Sequence, residues 1–179
     1  GEPWAEFAAY DQAIRQEFAE VPDEIFAQDL ALDAAVDLVR ALQAAANTAG
    51  VRFGVKVGNT LACRNTRRVF PASEEAMYLS GRALHPISIH LAERLQSEFN
   101  GQLDISFSAG SDCFNVADIL ACNLRAVTVF SDILKPGGYV RLGQYLELIS
   151  ARFADAGADS INTFITSRAQ TKNSAQAAL

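Results

Sequence analysis

The sequence is poor in the residues that build metal and disulfide sites. Its 179 residues include three cysteines, Cys63, Cys113 and Cys122, and two histidines, His85 and His90. The cysteine number is odd and no Cys-x-x-Cys pair occurs. That argues against a disulfide framework, and against a zinc or iron–sulfur site built by this chain alone. The expected compartment is the reducing cytoplasm. No G-x-G-x-x-G dinucleotide fingerprint is present. No apolar run approaches the length of a membrane span, and no signal-peptide pattern opens the chain. Basic charge is also short: 15 Lys and Arg stand against 21 Asp and Glu, for a net charge of −6. The longest basic cluster is Arg64, Arg67 and Arg68. Without a basic face to neutralise phosphates, nucleic acid is not an expected partner. The chain opens on Gly1 rather than Met and is read as a piece of a longer protein.

What is present is an ordinary globular composition, half apolar and one-fifth charged, with enough length for one domain with a core. Residues 3–20 read as a helix with Trp4, Phe7, Ala8, Ile14 and Phe18 in a loose stripe. A second helix spans about Asp29 to Thr48, with Leu32, Val36, Val39 and Leu42 at helical spacing and Gly50 as the stop. Val51 to Val57 alternates as a strand, with Lys56 on the polar face. Residues 58–75 lack periodicity and read as a long loop, a lid or binding loop by its length. Met77 to Ser80 is a short strand candidate. A helix follows from Pro86 to Asn100-Gly101. Further on come a strand Leu103 to Phe107, a short helix Asn115 to Cys122, a strand Ala126 to Phe130 and a helix Gly138 to Ala154. Strands alternating with helices predict a parallel sheet of four strands. The expected organisation is an N-terminal helical segment (1–28), a partial β/α barrel (29–156) and a C-terminal tail (157–179), itself helical or frayed. No internal repeat occurs.

Chemistry in such a sheet sits where strands end. Lys56 lies one residue before its strand ends, facing either the barrel axis at that rim or solvent. Ser108-Ala109-Gly110-Ser111 follows one strand and precedes a helix, a setting in which backbone N–H groups cradle phosphate. A plain βα turn has the same composition. Ser131-Asp132 follows the next strand, with Gly137-Gly138 before the next helix; two such turns in succession fit the phosphate site of barrel enzymes. Asp112 and Asp132 are either caps or a source of repulsion for an anion. His85, near a strand–helix junction, is within reach of a ligand or is a simple polar contact. His90 reads as structural. Cys63 has only Arg64 beside it to lower its pKa and reads as unreactive.

Four stretches in order, FGVKVGNTL (53–61), MYLSGRALHPISIHLA (77–92), ISFSAGSDCFNVADIL (105–120) and VTVFSDILKPGGY (127–139), resemble one family. It is the flavin-barrel domain of dihydroorotate and dihydropyrimidine dehydrogenases. The likeness is closest to the barrel part of selenate reductase subunits and glutamate synthase (NADPH) small-chain-like oxidoreductases. It covers about residues 51–150. The resemblance implies an α/β fold, the C-terminal half of a (β/α)8 barrel with extra N-terminal helices, and FMN at the C-terminal rim. It would make Lys56 the lysine approaching the flavin ring and the catalytic residue. Asn59 would sit in the polar turn after it, and Ser80 and Gly81 in a loop over the cofactor. Gly110, with Ser111, would belong to the first phosphate-gripping turn and Ser131 to the second. Iron–sulfur clusters, FAD and a nicotinamide site would belong to neighbouring domains.

Three departures stand out. Ala109-Gly110 replaces the common Gly-Gly, the catalytic Cys or Ser loop of the dehydrogenases has no counterpart, and the first barrel strands are absent. The expected function is a piece of a multidomain flavin/iron–sulfur oxidoreductase that moves electrons between NAD(P)H and a small substrate. The alternatives are a cofactor-less scaffold or docking domain, and an aldolase-like enzyme using Lys56 as a Schiff-base amine. Expected partners are other domains or subunits of the parent, or a second copy, because a part-barrel has open strand edges. Cover for those edges from the first two helices is the other expectation.

Overall fold

The computed structural model describes residues 21–27, 29–66 and 68–168. The helix expected over 3–20 lies outside them. Two helices open the described chain, α1 (Asp23–Ala27) and α2 (Leu32–Ala49). Helix α2 ends at Gly50, whose φ of 68° only glycine adopts cheaply. The Gly50 N–H bonds the Asn47 carbonyl at 3.2 Å and the Val51 N–H the Ala46 carbonyl at 3.0 Å, which satisfies the last carbonyls of the helix.

Three strands form a parallel sheet in the order β1 (Gly54–Val57), β4 (Asp104–Phe107), β5 (Ala126–Val127). The register sets Lys56 opposite Ser106, and Ser106 opposite Ala126. Between β1 and β4 lie β2 (Leu61–Arg64), β3 (Ala76–Leu79), a 3₁₀ turn (Gly81–Leu84) and α3 (His85–Glu98). Helix α4 (Val116–Ala121) joins β4 to β5, and α5 (Arg141–Asp155) and α6 (Ile161–Arg168) complete the described chain.

Four sequence expectations are corrected here. The Met77 strand does not join the parallel sheet; as β3 it pairs antiparallel with β2, Leu61 opposite Leu79 and Arg64 opposite Ala76. Residues 58–75 are therefore not one long loop. They hold β2 and a connection organised by Asn65, whose amide donates to the Phe70 and Glu74 carbonyls and whose oxygen accepts from Val69 N–H. The alternation of Leu61 and Cys63 with Ala62 and Arg64 is too short to stand out as a period. The strand at 126–130 is also shorter than expected, although the Thr128 N–H still reaches the Phe107 carbonyl at 2.8 Å. Helix α5 begins at Arg141, after a 3₁₀ turn over Gly138–Val140.

Alternation along the strands decides the layers. Leu103 just before β4, Ile105 and Phe107 on β4 and Val57 on β1 point to the helical side, where Ile89, Ala92 and Leu95 of α3 and Leu32 and Val36 of α2 bury against them. Each such large side chain contributes on the order of 1.5–3 kcal/mol. The opposite face, which carries Lys56, Asp104, Ser106 and Ala126, has no cover among the described residues. Helix α2 covers the outer layer, tied to α3 by Arg40–Glu98 at 3.1 Å, and not the open face. The residues after 157 hold α6, whose fully buried Phe164 stacks on Phe153 at 4.4 Å and packs on Ala117 and Ala121 of α4. No helix of the described residues is long and apolar enough to cross a membrane.

Candidate active site

A cleft of about 660 Å³ lies at the C-terminal ends of β1, β4 and β5, with the residues after β3 as its fourth wall. That volume suits a cofactor-sized ligand. All seven residues singled out from the sequence, Lys56, Asn59, Ser80, Gly81, Gly110, Ser111 and Ser131, line it. Ser108, of the same turn as Gly110, lines it too, and residues with no signal of their own in the sequence complete the wall, among them Thr60, Arg82, Thr128, Phe130 and Lys135.

Three turns converge there. Gly110 has φ +62°, and a Cβ on it would lie 2.5 Å from Arg82 Cα and 2.9 Å from the Gly81 oxygen. A Cβ on Gly81 would lie 3.1 Å from Ser131 Oγ. The turns after β3 and β4 thus meet backbone to backbone, and the Ser131 side chain of the turn after β5 packs against Gly81. Helices brace them from behind. His85, the first residue of α3, sets Nδ1 2.8 Å from the Ala109 carbonyl and its ring edge-on to Phe107. Its role is to fix the turn after β4, the polar-contact reading of this histidine. The Tyr145 hydroxyl of α5 lies 3.1 Å from the Ser111 carbonyl and 2.8 Å from Asp132 Oδ2.

The two aspartates do not repel an anion, because each is neutralised locally. Asp112 pairs with Arg82 and accepts from the Phe114 N–H. Asp132 accepts from Lys135 Nζ at 2.8 Å and from Arg141 Nε and Nη2, each at 3.1 Å. Burial alone would raise the Asp132 pKa. The bonds from Arg141, Lys135 and Tyr145 outweigh it and hold the carboxyl well below the usual carboxylate range. Burial, with the Asp132 carboxylate beside it, pushes the Tyr145 phenol well above its usual range. Counting Lys56, four cations stand against two carboxylates here, in a chain that is acidic as a whole. Ser111 Oγ is buried without a hydrogen-bond partner among the described residues, a state that calls for a ligand or water.

Ala109 lines the cleft, and its side chain is also packed into the core. Ala109 is 5% exposed and belongs to the core cluster with Phe107 and Val57. Its Cβ lies close to Gly58, where an added Cβ would come within 3.1 Å of it. Cys63 sits on β2, buried, its thiol 3.5 Å from the Met77 carbonyl; burial raises its pKa, so it is an inert thiol. Among the described residues no group of three or more His, Cys, Asp or Glu is placed to hold a metal ion.

Residues 11–178 match the family described as "Oxidoreductase YgfK, N-terminal TIM-barrel domain". The chain belongs to this family. Over 120 residues it is 42% identical to the Escherichia coli (strain K12) protein named "Putative oxidoreductase YgfK", and equally to its namesake in Escherichia coli O157:H7. That match takes in 67% of this chain and 11% of the relative, so the chain spans a small part of the relatives it matches. Ligand-free dihydroorotate dehydrogenase from Eimeria tenella superposes with a TM-score of 0.58 over 80% of this chain and 38% of that one, at 21% identity. This likeness carries the fold: the chain is part of a dihydroorotate-dehydrogenase-like TIM barrel, in an oxidoreductase family.

Proposed function

We propose that this domain contributes the phosphate-gripping half of an FMN site in a larger NAD(P)H-linked oxidoreductase. One observation carries the reading: the two turns after β4 and β5, together with Lys56, converge on one cationic cleft that holds an orphaned buried hydroxyl. The residues fit a flavin mononucleotide. Gly110, Ser111 and Ser131 would hold its phosphate, and Lys56, at the end of β1, its ring. When bound, the flavin supplies the acceptance and release of electrons; the protein supplies position and field. Lys56 would place positive charge where the reduced ring accumulates negative charge. Asn59 and Ser80 offer polar contacts at the mouth of the cleft. The substrate, NAD(P)H and cluster sites of the parent would lie in its other domains.

The test is a fluorescence titration of FMN into the full-length protein, wild type and Lys56→Met. Saturable quenching by the wild type, with a raised flavin reduction potential relative to Lys56→Met, is the expected result. No binding to the wild type, or identical affinity and potential in the variant, would overturn the assignment.

A further inference from the structure

Tyr145 of α5 touches both turns at once, and its single proton has two acceptors. One is the Ser111 carbonyl at 3.1 Å and the other is Asp132 Oδ2 at 2.8 Å. Neither can return a proton, since a carbonyl and an ionised carboxylate only accept. Tyr145 is buried in a cluster with Cys113 and Val116, which packing holds in place behind the turns. Asp132 is in turn anchored from the same helix by the Arg141 fork and from its own loop by Lys135.

We propose that Tyr145 is a positioning residue for anion binding, setting the spacing of the Gly110–Ser111 turn against the Ser131–Asp132 turn through one shared proton. The proposal rests on the flavin-phosphate reading above. Its physical content is preorganisation. Two turns held at a fixed separation present their N–H groups and the Ser111 hydroxyl to a phosphate without paying to order them on binding. Tyr145 itself touches no ligand. Nothing in the local sequence links it to Asp132, thirteen residues away, or to Ser111, thirty-four residues away.

The experiment compares FMN with riboflavin, which lacks the phosphate, in the full-length protein. The ratio of the two dissociation constants isolates what the phosphate turns contribute. Tyr145→Phe keeps the ring and its packing and removes only the hydroxyl. It should lower that ratio by about tenfold or more, the scale of a hydrogen bond to a charged group, and leave riboflavin affinity in place. Arg141→Gln, which removes the fork behind Asp132, should lower it in the same direction and serves if Tyr145→Phe does not fold. Phe164→Ala, which loosens α6 away from the turns, should lower the melting temperature and leave the ratio unchanged.

A wild-type protein that binds FMN no better than riboflavin would bring down the phosphate reading and this inference together. A wild type that prefers FMN, with the preference intact in Tyr145→Phe or Arg141→Gln, would overturn this inference alone. A ratio that collapses equally in Phe164→Ala would show general loosening in place of positioning, and would overturn it as well.

Discussion

Replacing Gly110 by alanine tests the convergence of turns most directly. The substitution meets two separate obstacles. Alanine at φ +62° enters the left-handed region, at about 1–2 kcal/mol. Its Cβ would also stand 2.5 Å from Arg82 Cα, 2.8 Å from Arg82 N and 2.9 Å from the Gly81 oxygen. All three are backbone atoms, so no rotamer change relieves the contact and the 81–82 segment must shift. Forcing a packed segment apart costs about 1–3 kcal/mol more. Gly157 supplies the internal control: its φ is +59° and nothing lies within 4 Å of an added Cβ, so only the first cost applies. Gly110→Ala should therefore destabilise by about 2–5 kcal/mol and Gly157→Ala by about 1–2 kcal/mol. In a chain of this size each kcal/mol lowers the melting temperature by about 2–4 °C, so thermal unfolding should separate the variants by several degrees. Equal melting temperatures would refute the close approach of the two turns.

Asp132 makes stability depend on acid in a defined direction. Its folded-state pKa is depressed, so its contribution is complete above the unfolded carboxylate range near about pH 4 and declines as the pH falls toward the folded value; Asp132→Asn should flatten that decline in urea melts between about pH 5 and 2. Tyr145 works at the other end. With its pKa raised, its stabilisation is complete below about pH 10 and is lost as the pH rises beyond it, and a tyrosinate absorbance titration should show one late-ionising phenol that Tyr145→Phe abolishes. Phe164→Ala should cost about 3–5 kcal/mol, because the ring is fully buried and stacked on Phe153; a loss below about 1 kcal/mol in chemical denaturation would mean that α6 is not docked on α4.

The parallel strands were legible because each carries its alternation openly. Leu103, Ile105 and Phe107 against Asp104 and Ser106 is the pattern of a strand with one covered face; the three apolar residues are buried, Asp104 is exposed and Ser106 half-buried. Lys56 could be placed by the same parity one residue before the end of β1. The hairpin was not legible. Strand β2 has four residues, and what holds the connection to β3 is the Asn65 amide reaching carbonyls five and nine positions away. No periodicity records such a bond. The aspartates were legible as charges but not as neutralised charges, since Arg141 comes to Asp132 only once α5 has folded back across the turn.

That last distinction explains how part of a barrel can keep a built rim. The interior face of the sheet, with Lys56, Ser106 and Ala126 in one row, has no cover among the described residues, so nothing on that side holds the turns. The turns are held from the helical side instead: His85 of α3 fixes Ala109, Tyr145 fixes Ser111, and Arg141 fixes Asp132. Those helices belong to the same stretch of chain as the turns they brace. The proposed anion-gripping geometry therefore does not depend on closing the barrel. The environment of Lys56 does, because a cation on an open face is screened by water and exerts its full field only when the remaining strands exclude it. In the proposed oxidoreductase, phosphate anchoring would be a local property of this domain, and control of the flavin's electronics a property of the completed barrel.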